Sequence, residues 1–491
     1  MSLSSKILCL NKHSIDMDML WIKNTESPKG ASNIPEDVSF KVSETVGDNY
    51  PLIEVNGYVF GEDEIKLLEF LESGNVPTIR VVIYDSSGAF TNKYYPTSNA
   101  LMKIYIKSKN QNLKAIRCDF LITDIRGVGN SRVDAGGSEG RNIQYTFTGT
   151  LNVPLLTDSV ISAKKGTSFD TLYSISKQIK LGFATNELTT NDDMIWIQPN
   201  ATCAEYISNI TAHAYKDENS FFTSFIDRYY NFTFINLYNM MAQDNDFDVA
   251  YFEGTRDHES WYKSGGSIKS DHKTDTVPNQ LSNKSDFRGS LSYISNYYMK
   301  SNQGKIMMNI PSTEHIYYYD YNISNETSKK FVDYVISSHD TMKSKEDVNK
   351  NSTNEWYGID SGNIHDNYFF ASKFNYRNNI EMNKTNMIVN TDGVNLNLLR
   401  GMRIPVSIWK EGIDKEFTED TTTQTQENAT DDSSKYKNER MQIEYDKKLS
   451  GLYIINALKF KYDSSIQGGT RWSTEALLSR ATWEPNLEYS N

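Results

Sequence analysis

Asp244, Asp246 and Asp248 stand at alternate positions, as the first carboxylates of an EF-hand loop do. Such a calcium loop also needs a glycine at its sixth position for the sharp turn and a bidentate glutamate at its last. Val249 and Thr255 hold those places, so the segment reads as a solvated acidic turn. Gly127-Val-Gly129 begins like a dinucleotide fingerprint, but Arg132 takes the third glycine's place and no helix is signalled there. The histidines (His13, His213, His258, His272, His315, His339 and His365) never pair at i, i+4, and no His-Glu-x-x-His occurs, so the local zinc signatures are missing. His213 sits two residues off a helix's apolar stripe and reads as a surface side chain. Cys118 and Cys203 hold apolar-periodic positions and read as small buried hydrophobes. Sugar hydrolysis would need two carboxylates about 5–10 Å apart, and 63 acidic residues leave that pair unspecified. Tyr317-Tyr-Tyr-Asp-Tyr321 has the aromatic surface to stack on sugar rings, although aromatic strand residues more commonly pack on their neighbours. No Walker A loop and no Gly-x-Ser-x-Gly elbow is present. The reading therefore assigns no catalytic residue, no cofactor and no metal, and takes the chain as a non-enzyme.

The elements around these residues are strands. In Ile143–Val153, Ile143, Tyr145, Phe147, Leu151 and Val153 fall on one side, with Gly149 among them; Gln144, Thr146, Thr148, Thr150 and Asn152 fall on the other. Strand side chains alternate between faces, so this is one long strand with a packed face and a wetted, uncharged face. Pro51–Val59, Thr78–Tyr84, Leu101–Lys107 and Ile116–Ile125 supply further strands, and together they predict a small barrel or sandwich. A short helix is predicted across Glu62–Glu72, closed by Gly74, and a mobile Gly- and Ser-rich loop across Gly127–Arg141.

From Gly166 the period changes. Thr167-Ser-Phe-Asp170 and Thr202-Cys-Ala-Glu205 both have capping-box spacing and precede apolar residues at helical intervals. Ser220 opens a predicted third helix carrying Phe222, Phe225, Ile226 and Tyr229, which runs into a strand over Asn231–Leu237. Short strand-like runs, Lys305–Ile310 and Glu314–Tyr321, lie in a polar stretch read as an insertion. Alternation returns at Gly401–Trp409, with Met402, Ile404, Val406 and Ile408 as the candidate packed face of a second barrel. Gly451–Tyr462 is a long strand, and Glu475–Trp483 ends the chain with apolar residues. The fold class is mainly β with α/β insertions. Its expected divisions are an arm at 1–45, a first barrel at 46–160, an α/β domain at 161–239, an inserted region at 240–384 and a second barrel at 385–491. A polar loop at 411–440 interrupts that last barrel, and its composition predicts disorder in isolation.

At 491 residues the chain can bury a large core without disulfides or metal, and 31 Tyr and 22 Phe suit a β-rich protein. An odd, scattered set of three cysteines favours assembly in a reducing compartment. The apolar run near the N-terminus is too short for a signal peptide's core, and nothing approaches a membrane span. A formal charge of −12 argues against a dedicated nucleic-acid binder, yet suits a surface that nucleic acid must pass without sticking.

Several segments in order resemble the central baseplate hub proteins of contractile phage tails, which are related to the hub portion of type VI secretion spike proteins. They are Gly149–Pro154, Gly166–Leu172, Leu181–Asn186, Asp192–Ile197 with the helices and strand ending near Leu237, Gly393–Ile408 and Ser450–Ile455. The resemblance implies a homotrimer in which each subunit gives two related tube domains to a ring of pseudo-sixfold symmetry. Such a ring joins a six-fold tail tube to a three-fold spike. It implies as partners a tail tube or tube-initiator protein, a central spike protein and baseplate wedge proteins, with genomic DNA passing through and no membrane. The location implied is the tail baseplate of a virion, assembled in the host cytoplasm. On that reading Gln144, Thr146, Thr148 and Thr150 are candidates for a lumen or rim face. The alternatives are a tail glycan hydrolase, or a receptor- or sugar-binding tail protein using the Tyr-rich stretch.

Overall fold

The computed structural model describes residues 8–11, 51–106, 116–129, 143–241, 250–254, 290–301, 313–320, 332–337, 352–359, 363–394, 396, 398–407, 449, 451–466 and 471–480. The expected loop at 411–440, the strand-like run at 305–310 and the acidic turn at 244–248 lie outside them, as does Ile408.

Strands dominate the first part of the chain. β1 (Leu8–Asn11) is followed by β2 (Leu52–Val55) and β3 (Tyr58–Val59). Asn56 and Gly57 join β2 to β3 at φ 51° and 85°, the left-handed pair that a two-residue hairpin turn requires. Then come β4 (Ile65–Glu72), β5 (Thr78–Asp85), β6 (Leu101–Ile106), β7 (Ile116–Gly129) and β8 (Ile143–Leu151). They pair in the order β4-β5-β8-β7-β6-β2-β3, every neighbour antiparallel. Phe70, Val81, Ile104, Phe120 and Phe147 are buried on one side, and the sheet curls around them.

The helix expected at 62–72 is the strand β4. Its register with β5 shifts between Ile65 and Leu67, so Lys66 bulges out and both Ile65 and Leu68 reach the core. A bulge gives a strand an i, i+3 apolar pair, the spacing otherwise read as helical. The loop expected at 127–141 also differs at its start, because β7 continues through Gly129.

The middle of the chain holds β9 (Ser159–Gly166), α1 (Ser168–Gln178), β10 (Gly182–Thr185), β11 (Met194–Thr202), α2 (Cys203–His213), β12 (Phe222–Ile226), β13 (Asn231–Asn236) and α3 (Leu237–Met241). Both predicted caps are present. Asp170 N donates to Thr167 Oγ1 at 3.1 Å. At α2 the box is reciprocal: Glu205 N donates to Thr202 Oγ1 at 3.2 Å and Thr202 N to Glu205 Oε2 at 2.8 Å. Each cap contributes about 1 kcal/mol. The third helix expected from Ser220 is instead β12, hairpinned to β13. Asp227 decides this, because its carboxylate accepts from Tyr229 N and Asn231 N, both at 2.8 Å, and holds a tight turn with Tyr230 at φ 61°.

The last part contributes β14 (Ala250–Gly254), β15 (Ser290–Ser301), β16 (Thr313–Asp320), β17 (Val332–Ser337), β18 (Ser352–Ile359), α4 (Tyr368–Glu381), β19 (Thr385–Asp392), β20 (Arg403–Ser407), β21 (Gly451–Asp463) and β22 (Trp472–Arg480). β16, β17 and β18 form a sheet of their own. The others pair in the order β20-β14-β15-β19-β22-β21, and β21 returns to pair with β20, closing a ring of strands. Its core contains Ile294, Met387, Val389, Leu398, Ile404, Ile455 and Leu478. β14 and β15, from the stretch read as an insertion, are thus strands of this ring.

The curl and the ring are built alike. Strands β4, β5, β6, β7 and β8 correspond in chain order and neighbour order to β15, β19, β20, β21 and β22. The bulges correspond as well. Lys66 in β4 matches the shift between Ile294 and Asn296 in β15, and the shift between Ile122 and Asp124 in β7 matches that between Ile455 and Ala457 in β21. Even the hydrogen bond from Ile122 N to the Ala100 carbonyl has its counterpart from Ile455 N to the Met402 carbonyl, at 3.1 and 3.0 Å.

Candidate functional site

One strand belongs to both halves. β21 pairs along one edge with β22. Along its other edge it pairs with β20 before its bulge and with β4 after it. The curl and the ring therefore form a single 13-stranded sheet. Across the seam the core is continuous, with the Phe70 and Phe460 rings 6.2 Å apart.

The face turned away from the two cores carries two mainly polar rows, beside an apolar row of Tyr298, Ile388, Leu477 and Ala457. In one row Asp124, Thr148, Arg80, Glu69, Lys461, Ser473 and Asp392 follow each other across six pairings. The next row runs Thr150, Thr78, Leu71, Lys459, Glu475, Asn390 and Asn296. Arg80 Nη1 lies 3.3 Å from Glu69 Oε2, and Lys459 Nζ lies 3.7 Å from Glu69 and 3.2 Å from Glu475. Charges in these rows alternate in sign, so the net −12 of the chain is not gathered there. Such a face offers hydroxyl, amide and paired charges to water and no cluster of cations to retain a polyanion.

Thr146, Thr148 and Thr150 are half-buried on this face and Gln144 is exposed, while Tyr145, Phe147, Gly149 and Leu151 are buried behind them. A Cβ on Gly149 would come 3.0 Å from the Leu121 carbonyl oxygen, so neighbouring strands close over this glycine. Met402, Ile404 and Val406 are buried in the core of the ring. The two sets of candidate residues therefore occupy opposite sides of the sheet and do not meet.

The seam is clamped by groups that sequence spacing does not signal. Arg228, in the turn between β12 and β13, is fully buried. Its Nη1 donates to Glu72 Oε2 at 2.8 Å, its backbone N to Glu72 Oε1 at 2.9 Å, and its Nη2 to the carbonyls of Leu396 and Leu398 at 2.9 and 2.6 Å. The guanidinium also lies 5.2 Å from the Phe460 ring centre. Burial is the largest single influence and works against the charge, but Glu72, Tyr229 and Asp227 together more than offset it and hold the Arg228 pKa above its usual value. One side chain thus ties the end of β4, the α/β region and the entry to β20. Arg400 adds a second tie, donating to the Asn456 carbonyl at 2.7 Å and to the Gly74 carbonyl while lying over Phe225. Desolvation lowers its pKa to about 10. Gly401, at φ 82°, follows it. A Cβ there would stand 2.5 Å from Ile235 Cδ1, so only glycine fits.

His213 is not the free surface side chain its position predicts. It is half-buried, its ring stacks on Tyr368 at 3.8 Å between centres, and its Nδ1 meets the Asn209 carbonyl at 2.9 Å. Desolvation lowers its pKa to about 4. Cys118 and Cys203 are buried free thiols, each with its pKa raised chiefly by burial. Among the described residues no group of three or more His, Cys, Asp or Glu is placed to hold a metal. Of the Tyr317–Tyr321 run, Tyr317, Tyr318 and Tyr319 lie in β16, and Tyr321 falls outside the described residues.

No family model matches the chain, and no curated protein matches it. Among solved structures it is similar to a tail protein from Neisseria meningitidis MC58, at 10% identity over 88% of this chain and 96% of that one, with a TM-score of 0.44. It is also similar to a 43 kDa tail protein of prophage MuSo2 from Shewanella oneidensis, at 8% identity over 88% and 98%, with a TM-score of 0.47. A third is an E. coli component of the type VI secretion system, itself described as similar to the T4 bacteriophage tail proteins gp27 and gp5. It matches at 8% identity over 87% of this chain and 76% of that one, with a TM-score of 0.39.

Proposed function

We propose that the chain is a structural tail protein whose sheet forms part of the wall of a baseplate-hub tube, acting without catalysis. The observation that carries this reading is the seam: β21 serves two curled sheets of like topology, which makes one wall with a packed side and an opposite side crossed by rows of paired charges. In the assembly three copies close a ring of six such units between a six-fold tube and a three-fold spike. Gln144, Thr146, Thr148 and Thr150 then line the lumen or its rim, while Met402, Ile404 and Val406 hold the second barrel together from within. DNA passes because the lumen rows pair their charges. In this reading the two barrels and the α/β domain are units near the extents expected from the sequence, with β14 and β15 added to the second barrel and β1 to the α/β sheet. The assembly belongs to the virion's tail baseplate.

The test is molar mass by light scattering, followed by electron microscopy of the same peak. Three copies in a ring with a central opening agree with the reading. A monomer that persists at high concentration and cleaves host glycans would overturn it.

A further inference from the structure

The seam within the chain shows what a long strand does beyond its bulge. After the bulge β21 pairs with β4, Leu458 opposite Glu72 through Asp463 opposite Leu67. Its counterpart β7 runs on from Asp124 to Gly129 with β8 on one edge and, among the described residues, no strand on the other. The counterpart of β4 is β15. From Asn296 to Ser301 it pairs with β19 on one edge, while on the other, among the described residues, β14 covers only Ser290 to Ile294. The two open edges are the counterparts of the two that already pair in the seam. They also carry exposed apolar side chains: Val128 is 68% exposed, Tyr298 62% and Met299 44%.

We propose that these edges pair between copies of this chain, the far half of β7 in one copy with the far half of β15 in the next, antiparallel and in the register of the seam. Corresponding bulges fix that register. Val128 falls opposite Tyr298 as Lys461 falls opposite Glu69; Gly127 falls opposite Met299 as Phe460 falls opposite Phe70; Gly129 falls opposite Tyr297 as Tyr462 falls opposite Leu68. Exposed aliphatic and aromatic groups thus cover one another, and Met299 comes against the Tyr145 ring, which lies 3.1 Å from where a Cβ of Gly127 would stand. Arg126 falls opposite Lys300, a like-charge pair moderated by the Asp124 carboxylate 2.7 Å from Arg126 Nε. Two different edges meet, so the contact is head-to-tail and must close as a ring or grow as a filament. The closure rests on the ring reading of the proposed function; the register rests on the duplication alone.

Cysteine pairing tests it. In a Cys9→Ser background, chains carrying Val128→Cys are mixed with chains carrying Tyr298→Cys and oxidised, since directly opposed strand positions come within disulfide reach. The expected result is loss of the monomer band to a disulfide-linked dimer containing one chain of each kind. The displaced pair, Asp124→Cys with Tyr298→Cys, should leave the monomer band intact. Rings seen by electron microscopy without the matched crosslink would overturn the register and spare the ring reading. Matched crosslinks in open filaments would support the register and overturn the ring. Chains that stay monomeric and uncrosslinked would overturn both.

Discussion

The ring of β14, β15 and β19–β22 closes, whereas among the described residues the curl of β2–β8 stays open, although five of their strands correspond one to one. The difference comes down to one strand's direction. β2 runs antiparallel to β6 and turns at once into the two-residue β3, where the sheet stops. β14 runs parallel to both β20 and β15, so it bridges the two strands that would otherwise be edges. Closure therefore follows from how a single strand enters rather than from strand number or core size. The open curl keeps a short edge at β3, followed by the acidic turn of Glu62, Asp63 and Glu64, a combination that discourages stray pairing there. Among the described residues, its long edge along the far half of β7 has no such protection.

The clamp at the seam is what makes curl and ring one body. Replacing Arg228 by Ala should cost about 3–5 kcal/mol, because Glu72 would be left as an uncompensated buried charge. Urea denaturation would read this as a fall in midpoint, and the single transition should separate into two as curl and ring unfold apart. A loss below about 1 kcal/mol would show that pairing of β4 with β21 suffices by itself. On the ring side of the seam, Gly401→Ala combines a left-handed backbone with a clash against Ile235, and should cost about 2–4 kcal/mol. Gly393, also at positive φ with open space around it, should lose only about 1 kcal/mol as alanine.

Acidity should affect the open curl and the α/β region in opposite senses. Asp119, on β7, is buried, and desolvation raises its pKa to about 7 against the partial relief of Lys103. Its folded pKa lies above the unfolded value, so its favourable contribution is complete below about pH 4 and is lost as pH rises through 7. Asp119→Asn should accordingly raise the Tm at pH 8 and have less effect at pH 5. His213 behaves the other way. Its folded pKa of about 4 lies below the unfolded value of 6.5, so stability falls as pH drops from 6.5 towards 4. His213→Gln should flatten the acid side of the profile. Thermal melts of the two variants across pH 4 to 8 separate the contributions, and parallel profiles would contradict the assignment.

Strands β5, β6, β7, β8 and β21 were legible because a period of two survives in them, and both caps were legible because their four residues are contiguous. The failures share a cause. Lys66 bulges from β4 and gives Ile65 and Leu68 helical spacing, while in β12 the neighbours Phe225 and Ile226 are both buried. The correspondence between curl and ring was hidden for another reason. Equivalent places hold Phe70 and Met299, Gly149 and Leu478, Gly127 and Phe460, so pairing geometry is kept while side-chain volume is not. The Arg228 clamp was illegible because its partners lie 156 and 168 residues away. Of the wall, the alternation of Gln144 to Thr150 was readable; the charge rows were not, because they exist only across strands.

The smallest expected effect is the most discriminating, because it repeats the chemistry of the clamp in another setting. Arg80 and Glu69 form an arginine–glutamate contact like Arg228 and Glu72, at 3.3 Å against 2.8 Å, but their side chains are 53% and 23% exposed against 0% and 3%. Water screens the first pair, and Lys459 remains 3.7 Å from Glu69 when Arg80 is removed, so no carboxylate is stranded. Arg80→Gln should therefore change stability by less than about 0.5 kcal/mol, a tenth or so of the Arg228→Ala effect. A loss above about 1 kcal/mol would mean that the polar rows are covered in solution. A wall whose polar side faces water predicts the small value.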